Sequence, residues 1–333
     1  MNRLIEIKSP EDAGRYAAPD LPPFDARTLV QHAPDAHWIA LGGDGRVHAR
    51  ASLWWQNTAP YPPHRPGVIG HFAATDRDAA VEVLEHACAG LRERDCSLAV
   101  GPMDGNTWRR YRLLTERGSE PTFFLEPDNP DDWPRWFAEA KFQPLATYFS
   151  ALNDDLSMED PRIPRAAERL ERAGVRLRPI NPADFTGELR RIYEISRVSF
   201  ADNFLYTPIA EADFLAQYES IRSHLRPELV LLAEQENRPV GFIFGVPDLA
   251  QAKRGAPMDT VILKTVATLP GRAWAGLGNV LVARCQQAAR ALGFRRVIHA
   301  LMHESNNSLN LSGHYAKPFR RYTLFARQLE SPT

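Results

Sequence analysis

The chain has 333 residues, 44% of them apolar and 24% charged, with 40 Lys+Arg against 41 Asp+Glu for a formal charge of −1. That composition excludes a disordered polyelectrolyte and removes the electrostatic warrant for a nucleic-acid or membrane-surface protein. No apolar run reaches the ~18 residues of a membrane span. The three cysteines, Cys88, Cys96 and Cys285, form no paired framework, and no His/Cys set has metal spacing, so no metal is expected and the predicted location is cytoplasmic.

In chain order, His37 to Leu41 and Val47 to Trp55 read as strands around the turn Gly42-Gly43-Asp44-Gly45, with Val68 to Ala74 as the next strand. A helix over Asp78 to Arg92 turns Ala80, Leu84, Ala87 and Leu91 inward. Ser97 to Met103 follows as a strand, Asn106 to Thr115 as a short helix and Pro121 to Glu126 as a strand. The apolar run Trp54-Trp55, with Tyr61 nearby, suits a domain interface or a homodimer contact. Asn153 to Pro164 is polar, acidic and proline-bearing, as a linker should be.

Beyond it, Val175 to Ile180 alternates as a strand. A helix from about Pro182 carries Leu189, Ile192 and Ile195 on one stripe, and a second runs from Glu211 to Leu225. Leu229 to Glu234 and Pro239 to Val246 form a hairpin, and Thr260 to Thr268 a third, apolar strand. A glycine-bearing turn then opens a helix over Asn279 to Leu292, which Gly293 closes. Arg296 to Leu301 is a strand, Asn306 to His314 a short helix and Arg321 to Ala326 a last strand. The succession of hairpin, strand, helix, strand, helix, strand thus occurs twice. It predicts an α+β fold in two halves, 1–152 and 175–333, joined by a 153–174 linker with a short helix.

The chemistry concentrates in Val266-Ala267-Thr268-Leu269-Pro270-Gly271-Arg272-Ala273-Trp274-Ala275-Gly276-Leu277-Gly278-Asn279. A strand that enters a glycine turn at the head of a helix aims free amides and the positive end of the helix dipole at one point, which suits a diphosphate. Glycine at 276 and 278 lets the backbone approach the anion. A plain strand-to-helix turn with packing glycines is the bland alternative.

This segment resembles the acyl-CoA-binding turn of the GNAT acetyltransferase superfamily, a Gln/Arg-x-x-Gly-x-Gly/Ala signature after the fourth strand. Gly276-Leu277-Gly278 match its last three positions; its leading Gln/Arg falls on Ala273, with Arg272 one place early. The element order from Val175 to Ala326 is that of the GNAT fold, and Gly67 to Ser150 resembles it too, as in tandem GNAT-like bacterial proteins. The resemblance implies two GNAT-like domains, each a mostly antiparallel central sheet flanked by helices. It also implies acetyl-CoA or another acyl-CoA as cosubstrate, bound by Val266, Ala267, the 272–279 turn and the downstream Asn306 and Asn307. The implied reaction is direct acyl transfer to an amine, or a hydroxyl, of a small-molecule or peptide acceptor. A backbone N–H near Val266 or Ala267 would face the thioester carbonyl, Glu304 is a candidate base, and Tyr315 a candidate acid for the leaving thiolate.

In the first half the matching turn reads Phe72-Ala73-Ala74-Thr75-Asp76-Arg77-Asp78. Asp76 suits an N-cap and would occupy the free amides itself, so this half is expected to have lost the cosubstrate. Two alternatives stand beside the enzyme: an acyl-CoA-binding protein without chemistry, and a Fem-like aminoacyl transferase, which would need a basic tract that the sequence lacks.

Overall fold

The computed structural model describes residues 2–219, 221–304 and 315–329. The first half contributes strands β1 (Arg3–Glu6), β2 (Ala36–Leu41), β3 (Val47–Trp54), β4 (Pro66–Ala74), β5 (Leu98–Gly101), β6 (Leu113–Glu116) and β7 (Gln143–Asn153). Its helices are α1 (Pro10–Ala13), α2 (Thr28–His32), α3 (Arg77–Arg92) and α4 (Trp133–Glu139). After α5 (Ile163–Arg172) come β8 (Val175–Pro179), α6 (Phe185–Ser199), α7 (Glu211–Glu219), β9 (Val230–Gln235), β10 (Arg238–Pro247), α8 (Leu249–Lys253), β11 (Thr260–Thr268), α9 (Leu277–Ala291), β12 (Arg296–His303) and β13 (Lys317–Gln328). Among the described residues no helix is long and apolar enough to cross a membrane.

The strands form a single sheet in the order β1-β2-β3-β4-β5-β13-β7-β12-β11-β10-β9-β8, with β6 on β13. The seam is an exchange of strands. β7, the last strand of the first half, lies between β12 and β13, with Val297 opposite Asn153 and Tyr322 opposite Tyr148. β13, the last strand of the second half, pairs in turn with β5 of the first, Phe325 opposite Gly101. A cut at 152/153 therefore falls at the end of a strand whose partners all come from the far side of it.

Alternation along β10 shows how the core is layered. Phe242 and Phe244 face α6 and α7, where they meet Leu189, Ile192 and Phe214. Ile243 faces α9, as does Val240 where a register shift between Pro239 and Gly241 breaks the alternation, and both meet Leu277, Leu281 and Cys285. In the first half α3 buries Ala80, Val83, Leu84, Ala87 and Leu91 against the sheet. Phe72 packs edge-on against Trp133 and Phe137 of α4.

Three expectations are corrected. Residues 106–115 are not a helix: the Asn106 side chain caps only a turn, accepting from the Trp108 amide at 3.0 Å, and the chain then enters β6. Residues 121–126 are not a strand, because the Phe123 carbonyl takes the Glu126 amide in a turn at 3.2 Å. The helix expected from Glu211 to Leu225 ends as α7 at Glu219, and a separate 3-10 turn covers Arg222–His224. Trp54 is buried, donating its indole N–H to the His32 carbonyl at 2.9 Å, in a cluster that includes Leu205 and Tyr322 of the second half.

Candidate active site

Two strand pairs are parallel among the described residues, β4–β5 and β11–β12, and each is joined through a helix, α3 or α9. In the second half pairing runs from Thr260 opposite Arg296 to Leu263 opposite His299 and then stops, while both strands continue. They diverge into a wedge. A bulge at Lys264, where the register against Phe244 and Gly245 shifts, marks where β11 turns away.

Hydrogen-bond alternation fixes which amides face this wedge. The Leu269 N–H donates to the Val240 carbonyl at 2.9 Å, one step beyond the register pairs Gly241–Thr268, Phe242–Ala267 and Ile243–Val266. In an antiparallel ladder every second residue turns its amide outward, so the Ala267 N–H is used on β10 and the Val266 N–H points away from it, into the wedge. The Thr268 carbonyl also points outward, where it accepts from Ser199 Oγ at 2.9 Å.

β11 runs on into a turn with Gly271 at φ 128, a 3-10 segment over Arg272–Trp274, and Gly276 at φ 78 as the N-cap of α9. The left-handed φ at 276 is the conformation that favours glycine. No side chain caps α9 and its first turn holds no acid. Its first ladder bond is from the Val280 N–H to the Gly276 carbonyl, so the amides of Leu277, Gly278 and Asn279 precede the ladder. Leu277 is buried in the core under the turn, while Arg272, Ala273 and Ala275 are exposed and Trp274 is half-buried. The Arg169 guanidinium of α5 binds the Ala275 carbonyl and adds a cation beside the helix terminus. The Asn279 Oδ1 atom is buried without a partner among the described residues. Free amides, a cation and an orphaned acceptor in one turn fit a ligand with both a diphosphate and amide groups, which is the chemistry of acyl-CoA.

The corresponding place in the first half is filled. Asp76 caps α3 by accepting from the Ala79 N–H at 2.9 Å. Burial pulls its carboxyl upward, but the Ala79 amide, the Thr75 hydroxyl and His48 together hold it below the ordinary value. The β4–β5 wedge is closed as well. The Met103 N–H donates to the Ile69 carbonyl at 2.8 Å, and the Asp104 carboxylate takes the His71 N–H at 2.6 Å. A Cβ at Gly70 would stand 2.0 Å from the Met103 carbonyl oxygen, so backbone already fills the space.

The open wedge gives onto a cleft of about 1540 Å³ between the halves. Leu263, Thr265 and Val266 of β11 and His299 to His303 of β12 line it, together with Trp108, Tyr111, Arg112 and Tyr148, the last directly across the strand pair from His303. His303 stands edge-on to Tyr148 at 4.8 Å between centroids, and burial, with Arg112 nearby, holds its imidazole below the usual value and thus neutral. Burial lowers His299 to about 4. Lys264, aimed by the bulge, donates to the Tyr218 hydroxyl at 3.2 Å.

Of the residues expected here, Val266 lines the cleft, and the 272–279 turn heads the helix beside it. Glu304 does not line the cleft; its carboxylate is bound to Arg321. Tyr315 is buried near Asp160 and Arg162, and burial raises its hydroxyl pKa. It precedes the start of β13, where Lys317 lies opposite Leu152, the residue that also faces Ile298. That is the end of β12 away from His303. Asn306 and Asn307 lie outside the described residues. The cleft residues that sequence reasoning passed over carried weak signals. Lys264 interrupts an otherwise apolar strand, and His299 and His303 are lone histidines four apart on a strand.

Residues 189–311 match the model of the Acetyltransferase (GNAT) family. A bacterial ceramide synthase of Caulobacter vibrioides (strain NA1000 / CB15N) is 28% identical over 233 residues, which cover 67% of this chain and 59% of that protein, so the chain spans less than two thirds of that relative. Among solved structures, a tandem GNAT protein from the clavulanic acid biosynthesis pathway superposes with a TM-score of 0.50 at 13% identity, covering 99% of this chain and 100% of its own. A GCN5-related N-acetyltransferase from Sphaerobacter thermophilus gives 0.50 at 14% identity, over 88% of this chain and 81% of its own. At such identities these structures speak for the fold alone.

Proposed function

We propose that the chain, whose residues 189–311 match the GNAT family model and whose fold is that of a tandem GNAT protein, transfers an acyl group from acyl-CoA to a long-chain primary amine, using the second half alone. The observation that carries this reading is the contrast between the wedges: β11 and β12 open onto bare amides, whereas β4 and β5 are closed by Met103 and Asp104.

A bound acyl-CoA supplies an activated acyl thioester; the remaining work falls to the chain. The Val266 N–H is placed to hydrogen-bond a carbonyl on which negative charge develops. The amides of Gly278 and Asn279, with Arg169 beside them, hold anionic oxygens at the helix head. His303, kept neutral by burial, accepts the proton of an ammonium arriving through the cleft. Tyr315 takes no part in this reading, because it sits away from the cleft wall. Size and lining support this acceptor class. The cleft exceeds the ~300–1,000 Å³ of ordinary small-molecule sites and is lined with aromatic side chains. An N-acylated long-chain amine is also the product that the Caulobacter relative's name describes.

The test is thermal unfolding with acetyl-CoA and with palmitoyl-CoA, followed by free-thiol release with octadecylamine and with ethylamine as acceptors. A rise in midpoint, and thiol release favouring octadecylamine, are expected. Binding without thiol release from any amine would leave a binding protein and refute the transfer.

A further inference from the structure

On the cleft wall, beside Tyr148 of β7, Arg112 is 6% exposed, and its Nε and Nη1 atoms are buried with no hydrogen-bond partner among the described residues. The guanidinium carbon lies 4.0 Å from the ring centroid of Tyr111 and 4.1 Å from that of Tyr148, two rings at 85° to each other. The cation thus stands in the corner of two aromatic faces. Those faces offset part of its burial, but they accept no N–H bond in the guanidinium plane.

Of the five carboxylates that line the cleft, Asp202 and Asp213 are exposed and the other three are held elsewhere. Glu126 binds Arg320 Nε at 2.9 Å and the Tyr322 hydroxyl, Asp128 binds Arg117 at 2.8 Å, and Asp104 takes the His71 amide. None forms an ion pair with Arg112 among the described residues. The backbone also holds Arg112 at a cost, with φ at 69 and its N–H donating to the Pro102 carbonyl at 2.8 Å. A buried cation with idle donors, on a strained residue at a cavity wall, is arranged for something that enters the cavity.

We propose that Arg112 is a binding residue for an anionic group, carboxylate or phosphate, on the molecule that occupies the cleft opposite the acyl donor. The acceptor is then a zwitterion: its amine goes to His303 and its anion to the Tyr111–Arg112–Tyr148 corner. This rests on the cleft being the acceptor site, so the test reads binding without turnover.

Calorimetric titration of the whole protein uses dodecyl phosphate, dodecanoate and dodecanol, each below its micellar concentration. The anions should bind at least tenfold more tightly than dodecanol, and the better of the two identifies the headgroup. Arg112→Gln should remove the tenfold preference while CoA affinity stays within twofold; Arg112→Lys should keep part of it. Equal binding of dodecanol and both anions to the unmodified protein would overturn the proposal without any variant. So would a loss of CoA affinity in Arg112→Gln matching the loss of anion affinity, which would assign the cation to the donor. Selective anion binding in a protein that transfers no acyl group would refute the proposed reaction and leave Arg112 as assigned.

Discussion

Substitution at Gly276 separates charge from shape at the head of α9. An ideal Cβ there meets the Ala166 Cβ at 3.4 Å and Arg169 Nη2 at 3.8 Å, ordinary contacts, so Asn and Asp both fit. The left-handed φ of 78 costs a side chain on the order of 1 kcal/mol, least for Asn and Asp. Asp recovers a similar amount from the helix dipole, typically about 0.3–1 kcal/mol, and lies beside Arg169, so Gly276→Asp should unfold close to the parent. Toward a diphosphate the outcome differs. Two like charges about 4 Å apart at an effective dielectric near 20 repel by about 4 kcal/mol. Allowing for solvent and salt, roughly half of that remains, which still means a loss of affinity of about 30-fold at 1.4 kcal/mol per decade. Gly276→Asn has the same shape without the charge and should bind CoA within about fivefold of the parent, a difference of about 1 kcal/mol on the same scale. Titration calorimetry with CoA on both variants is the assay. If Gly276→Asp binds CoA within threefold of Gly276→Asn, the amides at the head of α9 are not the diphosphate site.

The remaining predictions concern stability. His37, His71 and His299 are buried, and burial lowers them to about 3, about 2 and about 4. The unfolded chain takes up their protons below about 6.5 while the folded chain does not, so stability should fall as the pH drops below that value, by up to about 1.4 kcal/mol per pH unit for each. Urea unfolding between pH 7 and 5 measures the slope, and His299→Gln should lessen it by one histidine's share. Glu126 and Arg320 form an ion pair with both side chains fully buried, so Glu126→Gln should cost about 3–5 kcal/mol in urea unfolding, and replacing both with apolar residues should recover much of that. Because β13 pairs with β5 and β7 with β12, a 1–152 fragment should not fold alone, and co-expression with 153–333 should restore soluble protein, scored by co-purification.

The sequence carried the second half well, because its signals are local. An apolar strand, a glycine turn and an amphipathic helix with a glycine stop lie within Thr260 to Gly293, and each is a short-range pattern. The Asp76 cap of α3 was equally readable, since a capping side chain acts on amides three residues away. The seam was not readable. Periodicity shows that a segment pairs but not with what, and the partners of β7 and β13 lie more than a hundred residues away. The 101–112 excursion misled for another reason. Asn106 and the polar run after it look like a helix start, whereas Gly105 at φ 89 and Arg112 at φ 69 bend the chain back over the first wedge. That bend closes one site and puts Arg112 on the wall of the other. The resemblance points to Tyr315 by its order along the chain, which does not say at which end of β12 the residue lies.

The most direct test of the whole account is a structure of the protein with a non-hydrolysable acyl-CoA analogue. One molecule per chain is expected, its diphosphate on the Gly278 and Asn279 amides and its acyl carbonyl at the Val266 N–H. Density for the diphosphate against Asp76 and α3, or two molecules per chain, would contradict it.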